Sequence, residues 1–405
     1  MQLRMAWRNI WRQKRRTLIT VVTLTLGVAG IVYMHSFGGG MWTAVIRIMT
    51  QTTLGNLQIH GNGYQAEPLV HKVVPDPVAV EAALSKALPG ARPLQRVLGF
   101  GLIAAGEIST PAMIVGLQPE RERATTQLLA VVEGRDLGAE AAGEVVIGKD
   151  LAAQLEVKLG QELVLLGEAS DGSLANGLFK VVGIADAGSA DMNAGSVFLH
   201  LADAQEFFAL GSGVHQILVS IPGQGEDVSQ PVALLREALD LHTLEVLGWT
   251  EISPELEGVV RGKRQGFYIF NVLVFVIVGL AILNTMAMST FERTREFGVM
   301  ASLGTRRRRI LGLMLLESLL QCGVALVVGL ALGIALLYSV GTVDVSAVGD
   351  VGVAGFRFPK VLVLAPSVSA IVSASVTALI TALAGGLWPA WRASRLRPVE
   401  AVRRV

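Results

Sequence analysis

Four apolar runs, each long enough to cross a bilayer, decide what this chain can fold into. They cover residues 17–37, 267–288, 310–340 and 361–388. Hydrocarbon offers no partner to a free N–H or C=O, so a run of about 20 such residues must close its own backbone hydrogen bonds as a helix. The first run carries no charge. The third is interrupted only by Glu317 and Gln321, and the fourth has Pro366 near its start, where a missing N–H costs little. More than half of the chain lies between the first and second runs. This mixture accounts for a mean hydropathy of +0.53, too apolar for a soluble protein and too polar for one wholly in lipid. The expected fold is an α-helical membrane protein with four transmembrane helices plus an α+β extracytoplasmic domain between spans 1 and 2.

Basic residues orient the spans. Arg4, Arg8, Arg12, Lys14, Arg15 and Arg16 precede span 1. Arg293, Arg295 and Arg306 to Arg309 lie between spans 2 and 3, and Arg392, Arg395, Arg397, Arg403 and Arg404 follow span 4. With four spans all three groups fall on one side, which makes both termini cytoplasmic. Arg261, Lys263 and Arg264 break the pattern beside a long translocated domain, where charge has less weight. The first run is too long for a signal-peptide core, and Gly-Gly-Gly-Met-Trp follows it rather than an Ala-x-Ala site. Leu3, Ala6, Trp7, Ile10 and Trp11 recur at helical spacing opposite the arginines, as in a helix lying at the membrane surface. The expected organisation is an interfacial helix at 1–16, a first span at 17–40 and an extracytoplasmic domain at 41–264. Residues 265–405 then carry spans 2 to 4, a coupling helix at 289–304 and a basic tail at 389–405.

Alternating and turn-bounded segments in the external stretch predict strands at 56–60, 97–104, 111–117, 162–166, 179–184, 196–200 and 214–221. Helices are predicted at 76–88, with Asp76 as N-cap and Pro77 at the first position, and at 149–155, 201–208 and 232–241. Ser253-Pro254 opens a helix expected to run unbroken into span 2.

Sites of chemistry are not evident. Gly143 to Asp150 nearly spells a phosphate-binding loop, but Asp150 stands where a hydroxyl should hold magnesium, and a carboxylate there repels phosphate. A strand running into a helix is the better reading. His35, His60, His71, His200, His215 and His242 lack metal-ligand spacing, and Asp186 and Asp191 read as loop acids. Cys322 is the sole cysteine, so no internal disulfide forms, and it reads as a small buried residue. The chain is expected to be non-catalytic, with no metal, no cofactor of its own and no nucleic-acid partner.

Polar residues within the spans need protein neighbours. Asn271, Asn284, Glu317 and Gln321 are expected to face other helices. Glu317 and Gln321 share one helix face, which suits an interhelical polar contact or part of a substrate path; the alternative is that Glu317, about two turns from the span end, reaches polar headgroups or basic loop residues. Gly329 and Gly333 permit close helix approach, as on a dimer face. Between spans 2 and 3 the chain becomes charge-dense. Glu292 and Glu296 share a face, Arg293 and Arg295 occupy others, and Phe291, Val299 and Met300 add apolar contact. Such a helix across a membrane face suits a groove on a soluble partner; the alternative is a solvated connecting turn.

The segment Asn284-Thr-Met-Ala-Met-Ser-Thr-Phe-Glu-Arg-Thr-Arg-Glu-Phe-Gly-Val-Met-Ala-Ser-Leu-Gly304 resembles the signature of the MacB/LolC–LolE/FtsX superfamily of ABC-transporter permeases. Residues 6–17 are similar to that family's N-terminal elbow, 389–403 to its C-terminal tail, and 55–64 to the strand entering the external domain in lipoprotein-releasing LolC/LolE permeases. Ala301 departs from the pattern, since many members carry Arg there. The resemblance implies a permease paired with a second copy or paralogue in the bacterial inner membrane. A cytoplasmic ABC ATPase would bind ATP and magnesium, and contact Phe291, Glu292, Arg293, Arg295, Glu296, Gly298 and Gly304. It implies a porter-like external domain with an inserted second module, which moves as ATP is hydrolysed. Lipoprotein or another amphiphile would be released from the membrane to a periplasmic chaperone, with lipid as a further partner. Without a fused ATPase domain the chain is expected to differ from the macrolide-efflux type. The alternatives are an efflux-pump permease with a periplasmic adaptor, or an FtsX-like signal transmitter acting on a cell-wall hydrolase. Reporter fusions at Gly172 and Thr305 are expected to report opposite sides of the membrane; equal sidedness would overturn the topology.

Overall fold

The computed structural model describes residues 2–12, 14–126, 128–224, 227–344, 352–353, 356–357 and 361–395. These form two compact units. One is built from Met1–Trp42, Val260–Asp344 and the last long helix; the other is built from Thr43–Val259. The end of the basic tail expected at 389–405 lies outside the described residues, as does most of the 341–360 loop.

Helices are α1 (Gln2–Arg12), α2 (Lys14–Thr52), α3 (Pro77–Ala87), α4 (Pro119–Thr125), α5 (Lys149–Gln154), α6 (Ala190–Gly195), α7 (Leu201–Phe207), α8 (Ser229–Ala238), α9 (Trp249–Ile252), α10 (Pro254–Glu292), α11 (Thr294–Ser302), α12 (Arg307–Val340) and α13 (Val368–Ser394). Four of them, over Lys14–Thr52, Gln265–Glu292, Arg307–Val340 and Val368–Ser394, are long and apolar enough to cross a membrane. The unbroken helix expected from Pro254 is α10.

Two helix limits differ from the expected span limits. The helix that carries the first span does not end near residue 40 but runs on to Thr52, although the first stretch of the first compact unit ends close by, at Trp42. Gly38 continues the helix, and its bare Cα admits the Phe267 ring to within 2.1 Å of where a Cβ would sit. Gly38 thus serves helix contact, while the helix continues through Gly39 and Gly40. The fourth span begins at Val368, not 361. Pro366 disfavours helix in the residue before it. Ser367 then caps α13 by accepting from the Ala370 N–H at 3.1 Å. Val361–Val363 instead pairs antiparallel with Thr342–Asp344.

The spans are held by small residues at contacts. Gly329 meets Val28 and the Thr25 carbonyl of α2, where a Cβ would come within 2.8 and 2.9 Å, and Gly333 meets Val32. The glycine pair read as a dimer face is therefore a contact inside the chain. Ser318 donates to the Ala382 carbonyl at 2.7 Å, tying α12 to α13, and Thr20 donates to Thr285 at 2.7 Å, tying α2 to α10. Cys322 is buried among apolar side chains, as expected.

The second unit is a mixed sheet with helices packed on it. Its strands are β1 (Leu57–Gly61), β2 (Arg92–Ala105), β3 (Ile108–Leu117), β4 (Ala130–Gly134), β5 (Glu144–Gly148), β6 (Glu162–Glu168), β7 (Leu174–Asp186), β8 (Ser196–His200), β9 (Gln216–Ser220) and β10 (Leu244–Gly248). They run in the order β10-β1-β9-β2-β3-β8-β5-β7-β4, with β6 pairing β2 and β7. The β3–β8 and β5–β7 pairs are parallel. Local signals placed most of these elements. Asp76 caps α3 by accepting from the Ala79 N–H at 3.0 Å, and Val80 and Leu84, one turn apart, enter the core. Helix α8 starts three residues before the expected position. Strands β4 and β10 and helices α4 and α6 were not anticipated; β4 is exposed at the sheet edge and lacks the alternation that marks a half-buried strand.

The phosphate-loop look-alike is β5 running into α5. Lys149 Nζ is 2.6 Å from Asp186 Oδ2. Asp186 is thus an ion-paired residue rather than a solvated loop acid. Burial works against its charge, but bonds from Lys149, Asn193 and the Gly188 N–H hold its pKa well below the ordinary range.

His60 and His215 are buried on either side of Tyr64, whose ring lies 5.1 and 5.5 Å from theirs. His215 Nδ1 accepts from the Leu98 N–H at 3.1 Å, which assigns the proton to Nε2, the donor to the Val70 carbonyl at 2.8 Å. Burial pushes both histidines below their ordinary pKa and pushes the Tyr64 hydroxyl up to about 12. A second proton on His215 would face the Leu98 N–H. A folded pKa below the unfolded value means that stability is full above the unfolded pKa, about 6.5, and declines as pH falls below it. The melting temperature of the external unit is expected to drop between pH 7 and 5. In His215→Gln that slope should be shallower, as measured by thermal melts across pH.

Candidate functional site

Glu292, Arg293, Glu296 and Glu317, four of the residues singled out in the sequence, lie in ion pairs at the α11 end of the helical unit. α10 stops at Glu292 because Arg293 leaves helical geometry, with φ of −101° and ψ of 12°. The chain re-enters a helix at Thr294. It stops again at Gly304, whose φ of +83° only glycine adopts freely, while the Thr305 N–H bonds back to the Met300 carbonyl at 3.0 Å. Gly304 is therefore a helix stop. Gly298 and Phe297 are buried, and Phe297 packs with Ile310, Met314, Ala390 and Ala393, which docks α11 on α12 and α13.

Arg293 is the hub. Its side chain is 11% exposed and that of Glu317 is 5% exposed. Nη1 bonds both Glu317 oxygens at 3.0 Å. Nε bonds Glu296 Oε2 at 3.1 Å, and the guanidinium lies 5.0 Å from the Phe297 ring centroid. Asn9 of α1 donates to Glu317 Oε1 at 2.7 Å. Arg12 pairs with Glu296 at 2.6 Å, and Arg16 with Glu292 at 2.5 Å. Burial lowers the pKa of Arg293, but the Glu317 and Glu296 charges more than restore it. Burial likewise opposes the Glu296 charge, and the bonds from Arg293 and Arg12 win, holding its pKa low.

This corrects the reading of the coupling segment. Glu292 and Glu296 do not present a free acidic face; both are engaged by arginines of the first two helices. Reversing their charge would repel Arg16 and Arg12 as well as any partner. The outward face of α11 is instead Arg295, Val299, Ser302 and Leu303, at helical spacing, with Leu303 81% exposed. Phe291 is exposed beside it under the Arg392 guanidinium, 5.3 Å from the ring centroid. The face is apolar and basic.

Helix α1 has three faces. Ala6 and Ile10 are buried, Leu3, Trp7 and Trp11 are exposed, and the arginines turn away. That division suits a helix packed on protein, lipid and water at once. Asn9 carried no expectation beyond the family-like elbow; its signal was a neutral amide among arginines and tryptophans.

The other intramembrane residues divide. Gln321 is buried one turn from Glu317. Asn271 bonds the Phe267 carbonyl at 2.8 Å, His35 Nε2 at 3.3 Å, and Ser373 and Thr377 at 3.4 Å. Asn284, expected to face other helices, lies on the exposed side of α10, away from this chain's core.

The chain matches the family model of the MacB-like periplasmic core domain over residues 17–238 and that of the FtsX-like permease C-terminal over residues 268–398. It is 26% identical to the pyoverdine export ATP-binding/permease protein PvdT of Pseudomonas entomophila, covering 99% of this chain and 59% of that protein. It is 25% identical to the macrolide export ATP-binding/permease protein MacB of Hahella chejuensis, covering 99% of this chain and 60% of that protein. The chain therefore spans about three-fifths of the length of these relatives. The solved periplasmic region of MacB from Actinobacillus actinomycetemcomitans aligns with 52% of this chain and 95% of that one, at 16% identity and a TM-score of 0.37.

Removing one partner of a buried ion pair strands the other charge. Arg293→Ala is expected to destabilise the detergent-solubilised chain by about 3 kcal/mol. Adding Glu317→Gln should recover part of that loss, read by thermal unfolding.

Proposed function

The chain belongs to the MacB-like and FtsX-like superfamily of ABC-transporter permeases, and from that premise we propose that it takes force from a cytoplasmic ATPase through α11 and relays it to the external unit. One observation carries this reading. α11 is braced from behind by the buried Arg293–Glu317 pair and offers an outward face of Arg295, Val299, Ser302 and Leu303. A push on a braced helix moves its neighbours; a push on a loose turn is absorbed locally. ATP and magnesium are bound by the ATPase, which matches α11 with an apolar groove edged by acids.

The chain works with a second permease, a copy or a paralogue. Asn284 shares an exposed α10 face with Ile269, Leu273, Val276 and Leu280. An amide turned to lipid is costly, and pairing with another permease removes the cost.

The cargo is an amphiphile taken from the outer side of the membrane. The names of the relatives, exporters of pyoverdine and of macrolides, support a small exported molecule and an adaptor-linked efflux route. Lipoprotein release is the second reading, favoured by the likeness of residues 55–64 to lipoprotein-releasing permeases. Molecules co-purified with the chain from membranes separate the two: a lipoprotein supports release, and a small amphiphile with an adaptor supports efflux.

Arg295→Glu with Leu303→Asp puts acids against the proposed acidic groove. ATPase association is expected to weaken at least about tenfold, as for loss of a central contact with like charge added. Membrane insertion should persist. Unchanged co-purification of the ATPase would place the contact elsewhere.

A further inference from the structure

Resting on the force-relay reading above, we propose that Arg96 and Glu122 form the clamp that fastens the C-terminal end of α2 to the external sheet and delivers the movement of that helix to it. Arg96 projects from β2 and Glu122 from α4. They are 3% and 5% exposed. The pairing is two-pronged: Arg96 Nε is 2.7 Å from Glu122 Oε1, and Nη2 is 3.1 Å from Oε2. The remaining guanidinium donors go to the end of α2. Nη2 bonds the Thr52 carbonyl at 2.8 Å, and Nη1 bonds the Thr53 carbonyl at 3.3 Å. Glu122 Oε2 also accepts from the Thr126 hydroxyl at 2.5 Å.

The carbonyls at a helix C-terminus have no donor within their own helix. Here one planar cation satisfies two carbonyls at this end and binds a carboxylate, so three elements meet at a single side chain. A buried ion pair contributes little stability beyond what a well-packed apolar pair would contribute. An apolar pair at 96 and 122 could hold β2 against α4, but it could not grip the end of α2. The specific capacity of Arg–Glu at this place is the charge-assisted hold on the Thr52 and Thr53 carbonyls, stronger than a neutral hydrogen bond and directional. By contrast, Arg236 and Glu251, which pair near the start of α10, have side chains 40% and 45% exposed. Water competes for that pair, whereas Arg96–Glu122 is shielded from it.

The test uses the full chain purified with its ATPase. Spin labels sit at Lys86→Cys on α3 and Tyr338→Cys near the end of α12, in a Cys322→Ser background, and the distance between them is measured with and without Mg-ATP. Wild type is expected to show an ATP-dependent shift; its absence would defeat the force-relay reading itself. In Arg96→Met/Glu122→Met, whose apolar pair keeps the volume, the external unit should melt cooperatively and ATP hydrolysis should continue. The shifted population should fall about tenfold, within the range by which single sites alter coupling. A folded double variant that shifts like wild type overturns the clamp. If that variant does not fold, Arg96→Lys decides. Its single ammonium keeps the charge beside Glu122 but cannot span both the carboxylate and the two carbonyls. A reduced shift supports the clamp, and a wild-type shift overturns it.

Discussion

A charge at the edge of a bilayer must find a partner before the helices that carry it can pack. Glu317 is that charge. It sits in α12 with its side chain 5% exposed, and Arg293 and Asn9 answer it at 3.0 and 2.7 Å. Desolvating a carboxylate costs several kcal/mol unless a cation and further hydrogen bonds face it. Arg293, at the break between α10 and α11, satisfies Glu317, so the end of α10 and the buried pair are fixed together. Asn9 of α1 supplies a further bond to Glu317, which ties α1 to the same pair. The remaining carboxylates, Glu292 and Glu296, then draw in Arg16 and Arg12.

One consequence is electrostatic. With the acids engaged from within, the outward face of α11 is left with Arg295, Val299, Ser302 and Leu303, followed by Arg306 to Arg309. A partner for this face meets positive charge and apolar surface. Another consequence is mechanical. Phe297 is fixed among Ile310, Met314, Ala390 and Ala393, while Gly329 and Gly333 let α12 pack directly on Val28 and Val32 of α2. Interfaces of this kind lack the slack that absorbs displacement, because close-packed groups transmit strain.

The external unit meets a different constraint. Its sheet joins strands far apart in sequence, with β1 between β9 and β10. Two of the buried polar groups inside it are matched on each side: His215 between the Leu98 N–H and the Val70 carbonyl, and Arg96 between Glu122 and the end of α2. A matched group fixes its neighbours in direction as well as distance, which an apolar contact does not.

The four spans were legible in the sequence because bilayer thickness acts directly on composition, and α3 because Asp76, Pro77 and the apolar spacing act within one turn. Strands such as β8 were legible because alternation is local. The start of the fourth span was misread at Val361 because a short apolar run suits a strand as well as a helix. The glycine pair of α12 was misread because composition does not say which helix faces which. Glu317 was legible as a group in need of a partner, but not the identity of that partner. Arg12 and Glu296 are 284 residues apart, and no local pattern joins them. The sequence by itself determined which segments enter the membrane and which fold outside it, since both follow from the solvation of the residues in each segment. The tertiary structure alone decided which charges are consumed within the chain and which face outward, since that depends on distances between helices that only packing sets.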